Sequence, residues 1–152
     1  MTFPHWVTTA DGYLRWLEGV IDGSGAVVPH NYVLAEEAEA FEKLEGGYSH
    51  TVIVDEHQLV FPGTGTLLFR IILEEHLNVD EEPVDVQQAE YGYHFRTDRQ
   101  TMVWRYDKHE GHRDIGLCHR HRISRWGREV REPSHEVDLE DVISIIYRDH
   151  VS

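Results

Sequence analysis

The stretch YGYHFRTDRQTMVWRYD, residues 91–107, predicts an antiparallel β-hairpin. Residues 86–97 (VQQAEYGYHFRT) and 101–107 (TMVWRYD) are interpreted as two segments with the period of two that strands follow. A short polar connection, DRQ at residues 98–100, joins these two segments, and such a connection is typical of a hairpin. The stretch therefore indicates an antiparallel sheet, and the rest of the chain is interpreted around it.

Further elements are predicted on both sides of this hairpin. Apolar or β-branched runs predict more strands, at residues 51–56, 65–75 and 115–124. Apolar residues at helical spacing predict helices, at residues 11–25, 32–44 and 137–150. The polar segment 127–138 is interpreted as a connection.

These elements predict an α+β fold with an antiparallel β-sheet of about five strands. N-terminal helices and a C-terminal helix are expected to pack on the sheet. The chain of 152 residues is long enough for one domain that buries an ordinary core, predicted over residues 1–152. Within it, residues 1–50 are predicted to be a helical N-terminal extension, and residues 51–152 to form the sheet and the C-terminal helix that carry the site.

The chain is strongly acidic, with 14 basic residues, 28 acidic residues and a formal net charge of −14. An acidic and lysine-poor surface suits hydration in strong salt, so a halophilic source and an ordinary acidic cytosolic protein are both open interpretations. The sequence has no long apolar run and no leader, so we expect a cytoplasmic protein with no membrane partner. The single cysteine, Cys118, agrees with a reducing compartment.

The charges are unevenly distributed along the chain. Residues 91–128 hold nine of the basic residues, four acidic residues and five histidines, while the segments on either side are acidic. Hydration alone would not sort charges in this way. A basic segment inside an acidic chain indicates a binding site for an anion, and phosphate is the commonest candidate.

Four of the twelve histidines lie in RYDKHEGHRDIGLCHRHR, residues 105–122. Strand alternation places Arg105 and Asp107 on one face of their strand. If the hairpin and the following strand are neighbours, one patch is predicted to contain Tyr91, Tyr93, Arg105, Asp107, His119 and His121. His109 and His112 are expected to lie over its edge.

Three interpretations of this patch remain open on the residues alone. The first is metal-independent cleavage of a phosphodiester, which needs a base, an acid and a cation at the phosphate. The second is a site for zinc or another divalent ion, in which Asp107 and Cys118 supply further ligands beside the histidines. The candidate histidine ligands are His109, His112, His119 and His121. The third is a surface in which histidines replace lysines. A module that binds nucleic acid or a partner without catalysis is a further alternative.

The first interpretation assigns roles to individual residues and needs no cofactor. His119 and His121 are predicted as acid and base, because the ordinary pKa of histidine is close to neutral pH. Arg105 is predicted to hold the phosphate, Asp107 to orient a ring, and His109 to assist. Contacts with RNA are predicted for Tyr91, Tyr93, His94, His112, Arg120 and Arg122.

The same residues resemble the TumE family of toxins from toxin–antitoxin systems, over roughly residues 66–150. The similarity lies in a Tyr-x-Tyr-His strand, an Arg-x-Asp strand with the loop after it, and a His-x-His strand. The matching residues are Tyr91, Tyr93, His94, Arg105, Asp107, His109, His112, His119 and His121. Lys108 and Glu110 stand where the family pattern has asparagine and proline, and the first 50 residues are longer than the family usually carries.

This resemblance implies a growth-inhibiting toxin encoded beside a helix-turn-helix antitoxin. RNA is the substrate that the family setting implies, and the basic patch is consistent with it. The expected partners are therefore an RNA substrate and a cognate helix-turn-helix antitoxin, with a homodimer as a further possibility.

Overall fold

The computed structural model describes residues 4, 6–28, 39–99, 102–109 and 117–151. These residues contain two helices and seven strands. In chain order they are α1 (Ala10–Asp22), β1 (Glu39–Leu44), β2 (Gly47–Phe61), β3 (Gly65–Leu77), β4 (Pro83–Thr97), β5 (Met102–Lys108), β6 (Cys118–Ile123), β7 (Glu129–Pro133) and α2 (Leu139–Asp149).

The seven strands form one sheet in the order of the sequence, and every neighbouring pair is antiparallel. Strand β3 lies near the middle of the sheet, and its side chains alternate between buried and partly exposed positions. This alternation is the period of two that the sequence predicted, and it gives the sheet one buried face. The predicted α+β class and the antiparallel sheet are confirmed.

Both helices pack on the same face of the sheet, and their apolar side chains form one hydrophobic core with the buried side chains of that face. Helix α1 begins after Thr9, whose side chain accepts a hydrogen bond from the backbone N–H of Gly12. Helix α2 begins after Asp138, and a reciprocal capping box joins Asp138 and Asp141. The opposite side of the sheet, called here the open face, carries neither helix. In the part of the chain that the structure describes, no helix is long and apolar enough to cross a bilayer.

Three expectations from the sequence are corrected. The sheet has seven strands in the described residues, instead of about five. Residues 39–44 form strand β1, where the sequence predicted a helix over residues 32–44; the first part of that prediction lies outside the described residues. The supposed polar connection at residues 127–138 contains strand β7. The N-terminal region therefore contributes strands as well as a helix, and the predicted helical extension over residues 1–50 is wrong at its C-terminal end.

Both additional strands lie at edges of the sheet, which explains why their patterns were misread. Phe41 in β1 is 65% exposed, and it stacks on His50 of β2 at 4.3 Å between ring centroids. Backbone pairing with β2 therefore outweighs the helical spacing of the apolar residues. Strand β7 is polar on both sides and ends at Pro133, as is common for edge strands.

A buried polar network fixes the approach to α2. The side chain of Gln88 accepts hydrogen bonds from the hydroxyls of Tyr13, at 3.1 Å, and Tyr93, at 2.6 Å. Its amide donates to the carbonyl oxygen of Val137 at 2.9 Å. Gln88 thus connects α1, β4 and the segment before α2. Because these groups are buried, water does not take the place of a lost hydrogen bond.

Gln88→Leu is therefore expected to destabilise the fold. The substitution leaves two tyrosine hydroxyls and a carbonyl buried without this partner, and each such group costs about 1–3 kcal/mol. We expect a fall of about 3 kcal/mol in the free energy of unfolding, measured by urea denaturation. Gln87→Leu, at an exposed neighbouring position, is the matched control and should change it little. Equal stability of both variants would contradict this role for Gln88.

Candidate functional site

The register of three neighbouring strands brings the predicted polar residues together. Arg105 of β5 pairs with His94 of β4 on one side and with His121 of β6 on the other. In the next layer on the same face, Asp107 pairs with Gly92 and with His119. Residues directly opposite in antiparallel strands share a face, so these six positions form one patch on the open face.

Asp107 is the centre of this patch. Its Oδ2 accepts a hydrogen bond from Nε of Arg105 at 2.7 Å. The same oxygen lies 3.3 Å from Nε2 of His121 and 3.6 Å from Nε2 of His119. Nη2 of Arg105 is 3.4 Å from Nε2 of His121. One carboxylate oxygen thus binds a guanidinium and lies close to two imidazoles.

The rings of the cluster differ in their access to solvent. His119 is 0% exposed and His121 is 3% exposed, so neither presents its ring to a large ligand. His109 is only half-buried, and its ring centroid lies 5.3 Å from that of His119. Arg105 is also half-buried. Arg105 and His109 are therefore members of the cluster that a substrate can reach, and the two β6 histidines lie beneath them.

Burial and cations lower the pKa of two histidines. For His121, burial is the main cause and Arg105 the next, while Asp107 and Glu129 act in the opposite direction. For His94, burial is again the main cause, followed by Arg96 and Arg105, with Asp107 and Glu56 opposing them. Nε2 of His94 is buried and has no hydrogen-bond partner among the described residues. His94 is therefore held as a neutral imidazole near pH 7.

Three cavities adjoin one another along the open face. The outer cavity, of about 260 Å³, is lined by Gln58, Thr66, Leu68, Arg96, Thr97 and Asp98. The arginine cavity, also of about 260 Å³, is lined by Glu56, Leu68, Phe69, Arg70, Gly92, His94, Arg96 and Arg105. The His109 cavity, of about 470 Å³, is lined by Arg70, Glu90, Tyr91, Gly92, Lys108 and His109.

Shared lining residues join these cavities into one groove. The outer and arginine cavities share Leu68 and Arg96, and the arginine and His109 cavities share Arg70 and Gly92. Gly92 has no side chain at this second junction. A Cβ atom placed on it would lie 3.4 Å from Oδ1 of Asp107, so any larger side chain would project into the passage.

Part of the cluster can also hold a metal ion. Asp107, His109 and His119 each offer one ligand atom, and these atoms all lie within 4.8 Å of one another. Two imidazoles and a carboxylate suit zinc and other divalent transition metals. All three residues belong to the ligand set that the sequence predicted for a metal site. His112, the further predicted ligand and RNA contact, lies outside the described residues.

The sequence placed two tyrosines on the wrong face. Tyr91 and Tyr93 lie on the face that packs against the helices, and both are buried in the core. The hydroxyl of Tyr91 accepts a hydrogen bond from the backbone N–H of Val137 at 3.1 Å. Burial raises the pKa of both phenols. Because their rings are enclosed, they cannot stack on a base in this fold.

The two remaining arginines of the prediction also lie away from the cluster. Arg120 and Arg122 alternate with His119 and His121 along β6, so they point to the helix side of the sheet. Both bind the Oε1 atom of Glu132 in β7, and the distance from Nε of Arg122 is 3.0 Å. Phosphate contacts by these two side chains would therefore occur on the opposite face from His119 and His121.

The sequence reasoning missed three residues of the groove, namely Arg70, Gly92 and Arg96. One signal was available for the arginines. Arg70 is one of only three basic residues before residue 91. Arg96 follows His94 at a spacing of two, which places Arg96 and His94 on the same face of their strand. Their proximity depends on the pairing of β3 with β4, which aligns Arg70 with Gly92.

The fold and site define a small α+β protein with a basic, histidine-containing groove on one face of an antiparallel sheet. The family model described as Toxin TumE matches residues 40–150, which is most of the chain. The chain therefore belongs to the TumE toxin family, as its motifs predicted, and the match extends further toward the N-terminus than expected. Membership identifies it as a toxin of a toxin–antitoxin system with a cognate antitoxin as partner. Neither a curated protein nor a solved structure matches the chain.

Proposed function

We propose that this toxin is an endoribonuclease that cleaves RNA through its own 2′-hydroxyl group, without a metal ion. The observation that carries this proposal is the pair of adjoining cavities that meet at Gly92. One cavity contains His94 and Arg105, and the other contains His109. Two histidines that reach a common groove, with a cation beside them, supply the groups that this chemistry requires.

The proposed reaction is a transesterification within the RNA strand. A base takes the proton of the 2′-hydroxyl, and the 2′-oxygen forms a bond to phosphorus. The bond between phosphorus and the 5′-oxygen breaks, and an acid gives that oxygen a proton. The products are a 2′,3′-cyclic phosphate and a free 5′-hydroxyl.

His94 is the proposed base and His109 the proposed acid. The lowered pKa of His94 favours the neutral ring, which accepts a proton. Its ring is half-buried and lines the arginine cavity, so it lies beside the groove that the RNA strand would occupy. His109 is half-buried in the neighbouring cavity, so its ring can reach a leaving group on the other side of Gly92.

Arg105 is the proposed phosphate-binding residue, and Asp107 positions it. Nε of Arg105 binds Asp107 and Nη2 contacts His121, which leaves Nη1 and the second N–H of Nη2 to contact a phosphate. His119 and His121 were predicted from the sequence as acid and base. Their burial supports a different role in this proposal, in which they hold Asp107 and do not touch the substrate.

A second candidate is a metal-dependent nuclease. The ligand atoms of Asp107, His109 and His119 favour it, because they are close enough to share one ion. A bound ion would polarise the phosphate or activate a water molecule. In that case Asp107 and His109 would be ligands, and His109 would not act as an acid.

The two candidates give different results in one experiment. Purified toxin is incubated with RNA before and after treatment with a chelator, and the ends of the fragments are analysed by mass spectrometry. We expect unchanged cleavage and 2′,3′-cyclic phosphate ends. Loss of cleavage with the chelator, restored by one equivalent of zinc, would reject the metal-independent mechanism. Intact RNA under both conditions would reject both nuclease candidates and favour a binding module.

The acidic limb of the pH–rate profile tests His94 as the base. Because a base must be unprotonated, activity is lost as the pH falls through the pKa of His94, which lies below its ordinary value of 6.5. Arg96 is one of the cations that lower this pKa, with Arg105, against the opposing effects of Asp107 and Glu56. We therefore expect Arg96→Gln to raise the pKa of His94, so that the midpoint of the acidic limb moves to a higher pH, toward 6.5.

The measurement is kcat/KM as a function of pH for the wild type, Arg96→Gln and Arg15→Gln. Arg15 is an exposed residue of α1, on the helix side of the sheet. The substitution Arg15→Gln therefore removes the same charge far from the groove. Its profile should coincide with that of the wild type. Profiles with the same midpoint in all three proteins would exclude His94 as the titrating base.

Several partner and location hypotheses complete this proposal. The antitoxin is proposed to be a helix-turn-helix protein, and the toxin to act on RNA in the cytoplasm. The homodimer, the single domain over residues 1–152 and the halophilic source stay predictions from the sequence.

A further inference from the structure

We propose that Arg70, Arg96 and Arg105 form a phosphate-binding pocket that holds the backbone of a single RNA strand. All three side chains line the arginine cavity on the open face. They come from three successive strands, β3, β4 and β5, so their convergence depends on the sheet and not on a sequence motif. The RNA part of this inference rests on the proposed ribonuclease function, whereas binding of phosphate itself does not.

The guanidinium groups in this cavity have donors to spare. Arg70 has a long contact with Asp55, 3.8 Å between Nε and Oδ1, and both side chains are about half exposed. Such exposed pairs contribute little and separate easily. Arg105 uses Nε for Asp107, and Arg96 forms no ion pair with the residues that the structure describes. By contrast, Arg120 and Arg122 both bind Glu132.

The charges that line the cavity favour an anion. Three guanidinium groups and one carboxylate, that of Glu56, line the cavity. From outside this lining, Asp107 pairs with Arg105, and Asp55 makes a long, exposed contact with Arg70 that contributes little. A local excess of positive charge therefore remains, mainly from Arg96 and Arg70, in a chain whose formal net charge is −14. Guanidinium groups bind phosphate oxygens through paired hydrogen bonds, and a concave surface with several of them is a typical phosphate site.

The form of the groove favours a single strand recognised by its backbone. The cavity continues into the outer cavity at Arg96 and into the His109 cavity at Arg70, which gives an extended path across the sheet. The large aromatic side chains of β4 and β5, such as Tyr93 and Trp104, lie on the helix side. Phosphate contacts therefore dominate over base stacking, and the pocket is expected to bind strands of different sequence.

The test is a binding experiment with two probes and four proteins. The full chain, Arg70→Gln, Arg96→Gln and the control Arg15→Gln are titrated with inorganic phosphate by calorimetry. They are then titrated with a single-stranded oligodeoxynucleotide, which lacks the 2′-hydroxyl and is not cleaved by the proposed reaction. We expect each groove variant to bind both probes at least about tenfold more weakly, since one charge-assisted hydrogen bond contributes about that factor. Arg15→Gln should bind like the wild type.

The outcomes separate this pocket from the ribonuclease activity. Equal binding of phosphate by all four proteins would overturn the pocket, even if the toxin cleaves RNA. If the groove variants bind phosphate more weakly but bind the oligonucleotide as the wild type does, the pocket does not hold an RNA strand and is a site for free phosphate. Weaker binding of both probes by the two groove variants, in a protein that leaves RNA intact, would support the pocket while the ribonuclease proposal fails.

Discussion

Gly92→Val is expected to reduce RNA cleavage by about a hundredfold or more, because small displacements of a bound substrate cost factors of this size. Gly92 lies at the junction between the cavity of His94 and that of His109. A valine side chain would fill this junction and contact Asp107, since a Cβ atom there lies 3.4 Å from Oδ1. The base and the acid would then no longer reach the same phosphodiester.

The fold should tolerate this substitution. The backbone of Gly92 is not in the left-handed region, and valine is a favourable residue in strands. Gly92→Ala is the graded control, because its single methyl group makes only an ordinary contact with Asp107. We expect the order wild type, alanine, valine in activity, with thermal unfolding midpoints that stay close together. Full activity of the valine variant would show that the two cavities do not act on one substrate.

His94→Gln is expected to lower kcat by about 10²–10⁴-fold, the usual contribution of a general base. Glutamine keeps a polar side chain at this half-buried position next to Arg105 but has no group that takes up a proton near neutral pH. KM should change much less, because the arginines that bind the phosphate are still present.

His135→Gln is the matched control for His94→Gln. This histidine is exposed in the segment before α2 and lines none of the three cavities. The cleavage activity of His135→Gln should equal that of the wild type. If both substitutions have the same effect, or if the loss in His94→Gln is entirely in KM, His94 is not the base.

The sequence predicted the helices that have clear stripes and caps, and it predicted the hairpin on which the site is built. Helices α1 and α2 lie within the predicted residues 11–25 and 137–150 apart from the first residue of α1. The patch of Arg105, Asp107, His119 and His121 follows from alternation and from the proximity of consecutive strands. Neither rule depends on the details of packing.

The error for Tyr91 and Tyr93 has a specific cause. Near the turn Arg96 pairs with Met102, and continuing that register would align Tyr93 with Arg105 and Tyr91 with Asp107. The tyrosines would then share the face of the predicted patch. An irregularity between Phe95 and Arg96 shifts the register, so Tyr93 pairs with Tyr106 instead. A shift of one residue exchanges the faces of a strand, and short sequence patterns do not reveal such bulges.

The groove and the burial of the histidines required the three-dimensional structure. Arg70 lies far from Arg105 in the sequence, and the two meet in one cavity because β3, β4 and β5 are neighbours. Two histidines at alternate positions of a strand look the same in the sequence whether their rings are buried or exposed, and this holds for His119 and His121. Their burial depends on the surrounding side chains, which alternation does not predict.

The most direct test of the central claim uses an oligodeoxynucleotide that contains one ribonucleotide. We expect a single cut on the 3′ side of that ribonucleotide, with a 2′,3′-cyclic phosphate end, in the presence of a chelator. The matching strand with a 2′-O-methyl group at that position should stay intact. Cleavage of the methylated strand, or cleavage of the ribonucleotide strand only when a metal ion is present, would contradict the metal-independent mechanism.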